Sequence, residues 1–197
     1  MSIFVDAAYL MRGAGAALAH GTIIPPRSDI GLDPVRVSDL LRRAAGEVGV
    51  HPGERIGWYD GFRPDRPLSL EQRSLADSGL FELQLGPLRE HRGVWTQKRV
   101  DALIQRDMVR AARAGVRDIM LVAGDEDLTV AAEECAELGT RVHVFGIDAR
   151  IHHSCSVHLR LACEDEHMLT RSDVVAAFGL KARAGIGQIA AVMNRVA

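Results

Sequence analysis

Four aspartates stand where apolar segments give way to polar ones: Asp6, Asp101, Asp125 and Asp127. Asp6 interrupts the apolar run of "SIFVDAAYL" (2–10), and Asp125 and Asp127 follow a strand-like segment in "LVAGDEDLTVAAEECAELG" (121–139). Asp101 lies in "KRVDALIQRDM" (98–108), with Val100, Leu103, Ile104 and Met108 around it. Four carboxylates gathered in a partly buried cleft repel one another and raise one another's pKa unless a positive charge compensates. Oxygen-only donors suit Mg²⁺ or Mn²⁺, which keep several waters and take a few carboxylates together with phosphate oxygens. Each Asp has a plainer role when taken singly. An Asp after a strand caps the next helix, a contribution of about 1 kcal/mol, so Asp6 or "GDED" alone reads as a cap. Asp101 alone, on an Arg-rich helix, reads as an ion-pair residue. The set, rather than any member, points to a metal.

For the set to matter, the chain must bring it together. In an open parallel α/β sheet, ligands bind outside the carboxyl ends of the strands, near the point where strand order reverses. Strand-like segments occur at 2–10, 54–61, 81–88, 118–124 and 140–147, and all but the third are mostly apolar rather than alternating. That is the pattern of strands buried on both faces of a parallel sheet. Between them, 35–49, 67–78, 97–114 and 126–138 carry apolar residues at helical spacing. Pro34 and Pro67 stand near helix starts, and Gly49, Gly79, Gly115 and Gly139 just past helix ends, as helix punctuation requires. Strands alternating with such helices imply βαβ crossovers and a mostly parallel sheet of about five strands. "PLREHRGVW" (87–95) reads as a hairpin or a flexible loop, and the tail from Ser154 as a short helix (154–165) and a longer one (172–195). Gly179, Gly185 and Gly187 weaken the longer helix.

With 197 residues, 47% apolar and 25% charged, the chain suits one soluble globular domain with a sizeable core. Its three cysteines, Cys135, Cys155 and Cys163, are an odd number in a sequence without the order of a signal peptide, so reduced thiols and a cytoplasmic location are expected. No apolar run approaches the roughly 20 residues that span a bilayer. The net charge of −2 excludes a strongly basic nucleic-acid coat, because affinity from phosphate neutralisation needs clustered cations; a local groove is still allowed. All basic residues except Lys98 and Lys181 are Arg, which suits bidentate phosphate contacts or reflects a GC-rich coding bias.

Rival motifs fit less well. "GAGAALAHG" (13–21) has Leu18 where a dinucleotide loop needs its third Gly, and it starts too far past the first strand. Ala8 stands where a phosphatase of the haloacid dehalogenase type would carry a second Asp. "HHSCSVH" (152–158), with Cys163 and His167, offers soft zinc ligands, but His153, Cys155 and His158 lack the paired spacing of a closed site. Ser154 as a helix cap, with Cys155 and Cys163 as small core residues, is the simpler reading.

"IFVDAAYL", "KRVDALIQRDM" and "LVAGDEDLTVAAEECAELGTRVHVFGI" together resemble the NYN domain family, the LabA-like branch of the PIN-like nuclease fold, over about residues 2–165. The resemblance implies a three-layer α/β/α fold with a C-terminal helical tail, divided as an NYN/PIN-like domain (1–168) and a helical extension (169–197). It implies a ribonuclease whose Asp6, Asp101, Asp125 and Asp127 hold Mg²⁺ or Mn²⁺ and hydrolyse RNA phosphodiesters. Asp107 matches a further family Asp, but six residues past Asp101 it lies about 240° around the helix and reads as a supporting residue. Arg12, Lys98 and Arg99 are placed either to contact substrate phosphates or to serve as ordinary surface cations. Tyr9 stands where the family often has Asn; Tyr can donate one hydrogen bond or stack on a base, but cannot replace both functions of an amide. The alternative is a PIN-like domain that binds RNA or protein without cutting. In either case the glycine-interrupted tail could serve as a homodimer contact.

Overall fold

Strand β1 (Ile3–Asp6) is buried at every position. Its Ile3 and Val5 enter one hydrophobic cluster and Phe4 a second one, the alternation of a strand covered on both faces. In this computed structural model, which describes residues 1–19, 21–91, 94–97, 99–149 and 155–181, β1 is the centre of the sheet. It pairs in parallel with β3 (Ile56–Phe62) on one side and β6 (Asp118–Val122) on the other. Beyond β3 lies β4 (Phe81–His91), and beyond β6 lie β7 (Arg141–Ile147) and β8 (Asp165–Leu169), all parallel. A seventh strand, β5 (Val94–Gln97), runs antiparallel to the end of β4, so "PLREHRGVW" is a hairpin.

Helices cover both faces, giving the three-layer architecture. The cluster on one face takes buried residues from α1 (Ala7–Leu18), α2 (Pro34–Glu47), α3 (Leu70–Asp77) and α7 (Arg171–Ala177). The cluster on the other takes them from α4 (Val100–Arg113), α5 (Thr129–Glu137) and α6 (Val157–Ala162). A small antiparallel pair, β2 (Ile30–Leu32) and β9 (Phe178–Leu180), stands apart from the main sheet. Among the described residues no helix is long and apolar enough to cross a membrane.

The helix punctuation holds. Gly49, Gly79, Gly115 and Gly139 all have positive φ, between 69° and 83°, the left-handed conformation that ends a helix and that a Cβ disfavours. Pro34 is the first residue of α2, behind an Asp33 cap. Pro67 only precedes its helix, since α3 starts at Leu70 under a Ser69–Gln72 capping box.

The elements depart from expectation at the first strand and in the tail. The first strand stops at Asp6, because Asp6 already caps α1. The sheet has more than five strands because β8, "DEHML", alternates half-buried and exposed positions at the sheet edge and carries no apolar run. The helix expected over 154–165 spans only 157–162. The long tail helix ends at Ala177 and turns into β9; residues 182–197, with the expected dimer contact, lie outside the described residues. The part of the expected extension that is described joins the main core through Leu169, Val174, Ala177 and Phe178.

One close approach sets where α4 begins. A Cβ built on Gly86 of β4 would meet Val100 Cγ2 at 2.9 Å, the Val100 backbone nitrogen at 3.3 Å and the Arg99 carbonyl carbon at 3.4 Å. The first residues of α4 therefore rest directly on the β4 backbone, one residue before Asp101. Gly86→Ala should push this helix start outward and destabilise the protein by about 1–3 kcal/mol, measured by urea unfolding; a change within error would show that the helix shifts without cost.

Candidate metal centre

From β1 the chain proceeds through β3 and β4, then returns through α4 to β6 on the other side of β1. The strand order therefore reverses at β1, and the crevice beyond its carboxyl end is where such sheets bind ligands. Asp6 occupies that end. Its Oδ1 accepts hydrogen bonds from the backbone N–H of Ala8 (2.9 Å) and Tyr9 (3.2 Å), and its side chain is buried, with only 7% of the residue exposed. Burial is the main cause that pushes the Asp6 pKa up to about 6. The two N–H bonds oppose the rise, while the charges of Asp101 and Asp60 add to it.

Asp101 lies in the first turn of α4 and is half-buried. Burial, then the charges of Asp125 and Asp127, raise its pKa. Asp101, Asp125 and Asp127 each offer an oxygen within 4.8 Å of the others. Asp6 is not part of that close trio but couples to it through the charge of Asp101. The capping roles are also realised: Asp6 caps α1, and Asp125 caps the 3-10 turn 126–128 by accepting the Asp127 N–H at 3.2 Å. Gln105 Nε2 donates to the Asp127 carbonyl at 2.6 Å, tying α4 to that turn.

Two supports escaped the sequence reading. Asp60, 2% exposed, ends the buried part of β3 one residue past Tyr59, the register partner of Asp6. Arg27 holds both its oxygens at 2.8 and 2.7 Å and also pairs with Glu71. Gln72 Nε2 (2.9 Å) and the Gly61 N–H (2.8 Å) complete the shell. Burial opposes the Arg27 charge, but Asp60 and Glu71 outweigh it and hold the guanidinium protonated. Asp60 gave the same signal as Asp6, an Asp closing an apolar run in "GWYDGF", but its partner is 33 residues away.

The second support is the segment before α6. Cys155 Sγ donates to the Ala123 carbonyl at 3.1 Å and the Ser156 N–H to the Gly124 carbonyl at 3.0 Å. His158 Nδ1 lies 3.2 Å from a Glu126 oxygen, and this contact is the main cause that lowers the Glu126 pKa. Cys155, Ser156 and His158 thus buttress the acidic turn. Burial pushes the Cys155 thiol up to about 11 and Cys163 up to about 12, so neither is a ready thiolate. Ser156, not Ser154, caps α6; His153 and Ser154 lie outside the described residues.

The other candidates are dispersed. Asp107 accepts from the Tyr59 hydroxyl at 3.2 Å and pairs with Arg106 and, at 3.6 Å, with Arg110; it braces α4 against β3. Arg12 on α1 and Arg99 before α4 are exposed, and Lys98 lies outside the described residues. Tyr9 packs against the core with its hydroxyl buried.

The NYN domain family model matches residues 1–170. The chain belongs to the NYN domain family. The family places it among PIN-like nucleases. An uncharacterised protein of Sinorhizobium fredii is 36% identical over 81 residues, which cover 41% of this chain and 36% of that protein. The fold is similar to a crystal structure of a protein of unknown function from Vibrio parahaemolyticus, with a TM-score of 0.56 and 17% identity over 85% of this chain and 90% of that one. In this NYN domain the close trio is all oxygen, negatively charged and open to solvent at Asp125 and Asp127, a donor set that fits a hard divalent cation.

The raised pKa of Asp6 carries a stability cost with a definite sign. The folded state holds the proton more tightly than the unfolded chain, whose pKa is near 3.8, so stability falls as pH rises from about 4 through about 6. The full cost above that window is on the order of 3 kcal/mol. Asn caps a helix about as well as Asp. Metal-free Asp6→Asn should therefore be more stable than wild type at pH 8 by about 2–3 kcal/mol and equal to it near pH 4, measured by urea unfolding. The same difference at both pH values would refute the assignment.

Proposed function

We propose that this NYN domain is a divalent-metal-dependent ribonuclease that hydrolyses RNA phosphodiester bonds, with Mg²⁺ or Mn²⁺ as cofactor. The observation that carries the reading is the trio Asp101, Asp125 and Asp127, with oxygens within 4.8 Å of one another beside buried Asp6. They lie at the reversal point of a parallel sheet. When bound, the metal supplies Lewis-acid polarisation of a phosphoryl oxygen and a lowered pKa for an attacking water.

The chain's own residues do the rest. Asp101, Asp125 and Asp127 would hold the cation, each fixed by its helix or turn. Asp6 spends Oδ1 on two backbone N–H groups, which leaves Oδ2 to face the cation or accept a proton from water. A cation bound beside Asp6 would favour its carboxylate form and so offset the rise that burial causes in the metal-free protein. Arg12, within α1, and Arg99, just before α4, are exposed, and their guanidinium groups suit phosphate contacts with RNA.

A non-catalytic RNA- or protein-binding PIN-like domain is the second reading. Tyr9 favours it: where the family often carries Asn, the chain places a side chain whose polar atom is buried against the core. Purified protein should cut a labelled single-stranded RNA with Mn²⁺ or Mg²⁺ and stop on chelation. Asp101→Asn and Asp125→Asn should each lose at least about 100-fold in rate. RNA bound but uncut by the wild type in saturating metal would decide for the binding module.

A further inference from the structure

The opposite, amino-terminal edge of the sheet carries a different cluster. His143 on β7 is the register partner of Asp165, the first residue of β8, and Phe145 that of His167. The His143 ring is buried, with Nδ1 at 2.7 Å from Asp165 Oδ1. His167 Nε2 lies 2.9 Å from the same oxygen. That nitrogen is buried and, despite the short distance, is not aligned for a hydrogen bond. One nitrogen from each imidazole and one Asp165 oxygen all lie within 4.8 Å of one another.

We propose that His143, Asp165 and His167 form a zinc-binding site, separate from the carboxylate cluster and built from different residues. Two imidazoles and one carboxylate form a three-ligand set that leaves a fourth position for water. Imidazole nitrogen selects zinc-type ions over Mg²⁺. The surroundings also fit. A ligating His normally gives its other ring nitrogen to a carboxylate or carbonyl, which fixes the ring and its tautomer. His143 Nε2 lies 3.4 Å from Asp118 Oδ1, and Asp118 is itself held by Arg141 at 2.7 Å. His167 stacks on Phe145 with ring centroids 5.0 Å apart, which limits its rotation. Asp165 and His167 are partly exposed, so an ion can enter from solvent, while adjacent parallel strands hold the ligand backbones in register.

The plain alternative is a metal-free relay in which Asp165 accepts hydrogen bonds from two imidazoles. The full chain, stripped with chelator and dialysed, distinguishes the two. Zn²⁺ should raise the melting temperature, through binding to the folded state alone. The rise should persist in an Asp101→Asn/Asp125→Asn double variant and disappear in His167→Ala and in the more conservative His167→Gln. Asp118→Asn should weaken zinc affinity by roughly 10- to 100-fold. Co²⁺ in the wild type should give the visible bands of a tetrahedral ion without a sulfur-to-metal charge-transfer band. No zinc-dependent rise, a rise that survives both His167 variants, a rise lost with the carboxylate trio, or a sulfur band would each overturn the site. Because the nuclease reading is scored on RNA cleavage with Asp101 and Asp125, the failure of one leaves the other standing.

Discussion

Like charge held against like charge at the end of the central strand is the constraint on which the rest of this structure depends. Asp6 must be where it is for two reasons that do not conflict locally: it ends β1, and it satisfies two N–H groups at the start of α1. Globally the position is costly, because the carboxylate is buried and Asp101, with Asp125 and Asp127 behind it, raises the cost of ionising. The surrounding scaffold makes that cost bearable. Two continuous hydrophobic clusters sandwich the sheet. Gln105 and the Cys155–His158 segment hold the acidic turn in place.

Asp60 shows what a purely structural solution looks like next door. It sits at the same edge of the sheet and is more buried than Asp6, yet Arg27, Gln72 and the Gly61 N–H saturate both its oxygens. Removing a charge partner from so buried a carboxylate is far more damaging than replacing the whole pair by apolar residues, so Arg27 is tied to its place. Asp6, Asp101, Asp125 and Asp127 receive no such cation among the described residues. Among the described residues the fold thus neutralises one strand-end carboxylate with a side chain and leaves the other four without an ion pair. That contrast, more than the number of acids, separates Asp60 from the four candidate ligands.

Much of this was legible in the sequence because it depends on local rules. Residues such as Val5, Leu121 and Val144 sit in unbroken apolar runs, which a strand covered on both faces requires. The four helix-ending glycines announced where α2, α3, α4 and α5 stop. Asp107 is set apart from Asp101 by helical geometry alone, and in the structure it bonds Tyr59. What could not be read depends on partners distant in sequence. Arg27 with Asp60, Cys155 with Ala123, and His143 with Asp165 are separated by 33, 32 and 22 positions, and no periodicity encodes such pairs. β8 was missed for a related reason: at the edge of a sheet one face is solvated, so "DEHML" keeps polar side chains and lacks the apolar run by which the inner strands stand out.

A parallel sheet has two chemically unlike edges, and this chain uses them with unlike donors. At the carboxyl edge, strands run into helix starts, where backbone N–H groups favour carboxylates; Asp6, Asp101 and Asp125 all stand at such starts. Oxygen donors follow from that geometry, and with them a preference for hard, hydrated cations. At the amino edge adjacent strands are locked side by side. There, a buried imidazole such as His143 can be placed between carboxylates on both neighbouring strands, Asp118 and Asp165. Nitrogen donors at one edge and oxygen donors at the other would let two metals be sorted within one domain by softness alone, with the two sets kept apart by the length of the strands between them.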